Sequence, residues 1–271
     1  MAGKSNSGKK EKEIAERTAP PGDIVYQAIY DEGEHELQRS SSALGLSGLA
    51  AGLSMGFSLV TEALLRAHLP QAPWAPLVSK LGYSVGFLVV ILGRQQLFTK
   101  NTLTVILPLL KKKEIALFGN VVRLWTLVLL GNLLGAFAFA WLLVNTTLFD
   151  GDLHRAFSEI ASETIKPAFG TILLRGILAG WMIALMVWLL PFAESARIWV
   201  IIILGYIVAL ANLPHVVAGS VETFYLVASG ALSLSHCIFG YLVPTLIGNV
   251  IGGVALVAVG AHVEFTTATA Q

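Results

Sequence analysis

The sequence predicts an all-α integral membrane protein with six transmembrane helices, arranged as an inverted repeat with two broken helices. Three observations predict this. Of the 271 residues, 55% are hydrophobic and only 13% charged, well outside the range of a soluble domain, and the apolar residues fall in runs of membrane length. Two runs are interrupted by polar residues, one at Gly93 to Thr102 and one at Asn212-Leu213-Pro214-His215. A G-N-x-x-G motif then recurs, at Gly131 to Gly135 and at Gly248 to Gly252.

Residues 1–22 are polar, lysine-rich and closed by Pro20-Pro21-Gly22, the composition of a disordered tail. Nothing apolar follows the basic residues closely enough to be a cleavable signal peptide. Residues 23–40 set Ile24, Ala28, Ile29 and Leu37 at helical spacing among acidic residues, which predicts an amphipathic helix at the membrane interface. Residues 41–271 form the six-span domain.

The first span, 44–65, is rich in glycine and alanine, and small residues let helices approach closely in lipid. The second, 77–110, is too long for one simple crossing. Its polar interruption predicts two half-helices joined at membrane depth, an arrangement tolerated only beside a cavity. Lys111-Lys112-Lys113 ends it and marks the cytoplasmic side.

The third span is 121–144. Residues 150–163 carry Asp150, Asp152, Glu159 and Glu163 against one arginine and read as a loop on the outer side. The fourth span, 169–190, follows Lys166; the broken fifth is 200–223; a loop at 229–235 leads to the sixth, 239–261. The basic tail, the triple lysine and an even number of spans put both termini in the cytoplasm.

Thr99 precedes Asn132 by about the interval that separates His215 from Asn249, so each half reads as span, broken span, span. An odd number of crossings per half inverts the second relative to the first and brings the two breaks together near the midplane. His215 is then a proton donor or charge-switching gate, or a structural histidine bonded to backbone. Thr99 offers a hydroxyl from the opposite break or caps the second half-helix.

Asn132 reads as interhelical glue, and Asn249 as a group supporting the histidine from behind. Leu97, Phe98, Tyr83 and Phe87 either pack or gate a passage. Lys166 is an interfacial lysine or a cation that draws anions into an outer vestibule. Arg123 reads as lying near the inner headgroups. One cysteine, no metal-ligand spacing and no phosphate-binding loop point away from a disulfide framework, a metalloenzyme and an ATP-driven pump. No cofactor is expected.

Leu97-Phe98-Thr99, the histidine of the second break and the two G-N-x-x-G motifs together resemble the formate/nitrite transporter family over nearly the whole chain from Asp23. RQQLFTKNT, HVVAGSVET and VPTLIGNVIGG are most similar to its YfdC-like branch. The resemblance implies an aquaporin-like protomer, a homopentamer with one pore per protomer, a bacterial inner membrane location, and passage of a small monovalent anion or its neutral acid.

By position, it also implies a central polar site of Thr99 and His215 with Asn249 nearby. Tyr83, Leu97 and Val208 would form an outer constriction, Phe87 and Phe98 an inner one. The partners so implied are the anion, the lipid bilayer and further copies of the chain, with no nucleic acid. This sequence departs from family members with established substrates: Pro214 stands where they carry an acidic residue, Gly219 and Gly180 where they carry asparagines, Lys166 lies about two positions from their vestibule lysine, and Lys100 adds a cation. Alternative readings are a pore for small neutral solutes and a non-conducting membrane scaffold.

Overall fold

Small residues at four-residue spacing decide which helices touch. The structure, a computed structural model, describes residues 22–254; the tail 1–21 and the end of the sixth span past 254 lie outside the described residues. The elements are α1 (Gly22–Gln38), α2 (Ser41–His68), α3 (Ala75–Leu92, with a 3-10 turn at Lys80–Tyr83), α4 (Phe98–Thr104) and α5 (Ile106–Lys112). After them come α6 (Ile115–Asn145), α7 (Gly151–Thr164), α8 (Phe169–Leu189), α9 (Arg197–Leu210), α10 (Val216–Ala228) and α11 (His236–Val254, π-helical over His236–Leu242). Among the described residues every element is helical. Five helices, α2, α3, α6, α8 and α11, are each long and apolar enough to cross a membrane; α9 and α10 supply one more crossing in two pieces.

Helix α2 lies along α6, and α8 along α11. In the first pair, a Cβ on Gly131 would sit 2.7 Å from the Gly45 carbonyl oxygen, and one on Gly48 3.0 Å from that of Val128. In the second, a Cβ on Gly248 would sit 2.5 Å from the Leu173 carbonyl oxygen. Any larger residue would push these backbones apart, and in lipid such close packing is what holds helices together. Helix α10 is central: Val216 through Leu226 are all buried, against α2, α6 and α7. Outward-facing Leu130, Leu134 and Trp141 of α6 and Leu174 and Leu178 of α8 are exposed, as an apolar solvent requires.

Residues 150–163 are not a loop. They form α7, because Leu153, Ala156, Phe157, Ile160 and Ala161 share one helical face and are buried against α10 and α2. Asp150 starts the helix by accepting from the Leu153 amide at 3.0 Å, the usual work of an N-cap.

Where an amphipathic interfacial helix is expected, at 23–40, the chain forms helix α1, which buries Tyr26, Ile29, Tyr30 and Leu37. Glu32 meets Lys100 at 2.6 Å, and Glu36 accepts from Gln96 at 2.6 Å. Glu34 pairs with Lys112, whose ammonium holds the Glu34 carboxyl below the usual carboxylate range. Arg123, expected near the inner headgroups, has a guanidinium that donates to the carbonyls of Leu37 (2.9 Å) and Arg39 (3.1 Å), a cation where a helix C-terminus favours one.

Candidate functional site

Both breaks follow one backbone plan. Helix α3 ends at a left-handed residue, Arg94 (φ 50°), and α9 at Asn212 (φ 49°); asparagine tolerates this conformation well and arginine poorly. The next amide then folds back, Gln95 to the Val90 carbonyl and Leu213 to the Val208 carbonyl, each at 2.9 Å, as in a Schellman ending. The chain runs extended through Leu97 (φ −103°, ψ 124°) and His215 (φ −115°, ψ 126°) before α4 and α10 begin.

A single carboxamide closes each break. Asn132 accepts from the Phe98 amide at 2.9 Å and donates to the carbonyls of Gln96 and Gly48, both at 2.8 Å. Asn249 accepts from the Val216 amide at 2.9 Å and donates to the carbonyls of Pro214 (3.0 Å) and Gly176 (2.9 Å). Backbone groups freed at membrane depth need partners, and these two side chains provide them.

The counterpart of His215 is therefore Leu97 rather than Thr99, a register two residues from the expected one, because the asparagines align peptide groups and not the polar side chains. Asn249, expected as a support for the histidine, holds the peptides on either side of it and makes no bond to the ring. Gln96 donates its amide to Ser47 Oγ at 3.1 Å; Pro214, in the matching place, has no amide to satisfy.

His215 caps α10, its Nδ1 accepting from the Ala218 amide at 3.1 Å. A peptide N–H only donates, so Nδ1 carries no proton and the neutral ring holds its proton on Nε2. Nε2 lies 2.6 Å from Thr99 Oγ1, which makes the imidazole the donor and leaves the threonine hydroxyl proton without an acceptor among the described residues. Thr99 does not cap α4: Leu97 occupies the cap position, and no side chain caps the helix there.

Two cavities approach this pair from opposite ends of α3, α8 and α9. The first, about 380 Å³ beside α7, reaches Tyr83, Val208 and His215, and its wall includes Glu222, Lys166 and Arg175. The second, about 590 Å³ beside α1, is lined by Glu36, Arg39, Arg94 and Lys100 among others. Neither is lined by Phe87, Leu97, Phe98 or Thr99, which are at most 2% exposed.

Phe87 stands edge-on to the His215 ring with centroids 5.0 Å apart, and Tyr83 lies 5.5 Å from Phe87. Phe98 packs instead on Trp125 at 5.8 Å, so Phe87 and Phe98, expected as one constriction, are not in ring contact with each other. Among the described residues no group of His, Cys, Asp and Glu is placed to hold a metal ion.

The formate/nitrite transporter model matches residues 23–263. The chain belongs to the formate/nitrite transporter family. It is 39% identical to the inner membrane protein YfdC of Escherichia coli (strain K12) over 95% of this chain and 83% of that one. It is 27% identical to the formate channel BtFdhC of Bacillus thuringiensis over 86% of this chain and 91% of that one.

Among solved structures, the fold matches an FNT family ion channel with a TM-score of 0.77, at 19% identity, over 89% of this chain and 99% of that one. It also matches a pentameric formate channel with formate bound, with a TM-score of 0.71, at 21% identity, over 83% and 98%. Formate/nitrite transporters are channels and transporters, not enzymes.

Where the family resemblance implies asparagines, at 180 and 219, this member of the formate/nitrite transporter family has no room for side chains. A Cβ on Gly219 would collide with the Tyr241 hydroxyl, and one on Gly180 with the Asn249 carbonyl. Lys166 is exposed and lines the cavity beside α7. Sequence reasoning missed Glu222, Tyr241 and the buried Lys80–Glu62 pair (2.8 Å). The signal for two of them was present: an ionisable residue inside an apolar run marks a site by default, and Glu222 and Lys80 are such residues.

Proposed function

We propose that this protein is a channel-like transporter of small monovalent weak-acid anions of the formate and nitrite kind, which cross its apolar layer as neutral acids. The observation that carries the reading is the Thr99–His215 pair at 2.6 Å, set between two cavities and walled by Phe87 and Leu97. An ion entering that layer would lose its hydration with little in return, whereas a small neutral acid loses far less. The exposed cations Lys166 and Arg175 favour anions in the cavity beside α7. There the solute is protonated, passes Tyr83 and Val208, and meets the Thr99 hydroxyl, which His215 orients as a donor. Any proton that His215 gives travels through that hydroxyl. Asn249 belongs to the frame of this centre, Phe98 to its far wall.

The cavity beside α7 is the outer vestibule and the one beside α1 the inner, with both termini cytoplasmic, as Lys111-Lys112-Lys113 argues. A homopentamer in a bacterial inner membrane is supported by the pentameric formate channel of matching fold and by the inner membrane relative, together with the apolar residues on the outward helix faces. Proteoliposome flux tests the reading: uptake of formate rises as the medium is acidified and disappears in His215→Ala. A pore for small neutral solutes is the second reading, favoured by an Nδ1 that is already occupied by the Ala218 amide. Glycerol-sized solutes crossing at a rate indifferent to pH, with formate excluded, would replace the first reading by the second.

A further inference from the structure

The histidine is poorly placed to give a proton to a solute waiting in the cavity beside α7. Its one ring proton faces Thr99, and its other nitrogen is taken by the Ala218 amide. The cavity wall, however, holds another acid. Glu222 lies on α10, seven residues beyond its cap His215 and roughly 10 Å along the helix axis from it. Both line the same cavity. Glu222 is only 6% exposed, and its Oε2 accepts from Thr164 Oγ1 at the end of α7.

The charged groups around it are paired with one another or exposed at the cavity wall. From α2 and the start of α3, Glu62 and Lys80 pair with each other at 2.8 Å. From α7, Glu163 is bound to Arg66 at 3.0 Å, and Lys166 is exposed. Arg175 on α8 is exposed as well, and Tyr83 and Tyr241 present hydroxyls. Among the described residues Glu222 is in no ion pair, and the Thr164 hydroxyl is the hydrogen-bond donor that its carboxyl meets.

We propose that Glu222 is the proton-delivering residue of the outer vestibule, handing its carboxyl proton to an incoming weak-acid anion before the solute enters the apolar layer. In this step the O–H bond of the Glu222 carboxyl breaks and one forms on the anion. The solute leaves as a neutral acid, and the Glu222 carboxylate is recharged by a proton from the medium through the open cavity. No oxidant or reductant is involved. The inference rests on the weak-acid reading above and adds the group that supplies the proton.

The test is formate uptake by proteoliposomes of the full chain, measured from pH 5 to pH 7, with Glu222→Gln and Glu222→Asp beside the wild type. The expected result is a loss of about tenfold or more at pH 7 in Glu222→Gln, narrowing towards wild type at pH 5, where the medium itself supplies more neutral acid. Glu222→Asp should keep the wild-type pH profile. Should Glu222→Gln not elute as the wild-type oligomer, Glu222→Met takes its place with the same expectation. Equal loss at both pH values, a flat profile in Glu222→Asp, or a wild-type profile in Glu222→Gln would each overturn the role of Glu222 and leave the transport reading intact. Absence of formate flux in the wild type would overturn both.

Discussion

Leu97 and His215 occupy the same place in the two halves of the molecule. Each is the last extended residue before a half-helix, and in each case the amide that follows is held by an asparagine oxygen at 2.9 Å. The frame of the site is thus symmetric while its chemistry is not. On one side the position carries an apolar side chain; on the other it carries the imidazole that bonds to Thr99.

The asparagines are expected to matter equally, although one precedes a leucine and the other a histidine. Replacing Asn132 or Asn249 by alanine leaves one amide and one carbonyl of the break unpartnered at membrane depth, Phe98 and Gln96 in one half and Val216 and Pro214 in the other, while the carbonyls of Gly48 and Gly176 lie inside α2 and α8 and keep their helical donors. At about 1–3 kcal/mol for each orphaned group, either substitution should lower the melting temperature of the purified oligomer by several degrees or prevent assembly. A melting curve unchanged in Asn249→Ala would contradict the closing role assigned to it.

The tautomer of His215 can be read directly. Nitrogen-15 NMR of histidine-labelled protein in lipid at neutral pH should give one ring with its proton on Nε2 and an unprotonated Nδ1. Thr99→Val removes the acceptor of that proton, and at about 1.4 kcal/mol for the lost hydrogen bond the uptake rate should fall roughly tenfold. A ring protonated on Nδ1, or uptake unaffected by Thr99→Val, would refute the arrangement.

Gly219 should tolerate nothing larger while Tyr241 is present. Gly219→Ala places a methyl on the Tyr241 hydroxyl, and overpacking of this kind costs roughly 1–3 kcal/mol. Tyr241→Leu in the same chain should restore most of the loss, an interaction visible as non-additivity in a double-mutant cycle of thermal stability. Additive effects would mean that the two positions do not compete for the same space.

The breaks were legible in the sequence because polar residues in a membrane-length apolar run have few places to go. Pro214 and His215 in one break and Arg94 to Gln96 in the other could not face lipid. The motif glycines were legible too, since close helix contact demands them. The register of the repeat was not legible. It was anchored on the polar pair Thr99 and His215, whereas the fold aligns the peptides of Phe98 and Val216, a relationship carried by backbone hydrogen bonds that side-chain identity does not reveal.

Helix α7 was hidden for a different reason. Its exposed acidic residues dominate the composition of 150–163, and the apolar stripe beneath them becomes evident only when read at helical spacing. Tyr241 could not have been connected with Gly219 from sequence, because the contact joins α11 to α10 through a missing side chain.

The carboxamides of Asn132 and Asn249 are saturated with bonds to main chain and ask nothing of the residues whose side chains meet the solute. Scaffold and filter are therefore separable in this architecture. On the proposed reading, substitutions at Thr99, Phe87 or Glu222 would retune what passes while the two kinks keep their shape, so that one skeleton would serve unlike cargoes by exchanging a few side chains.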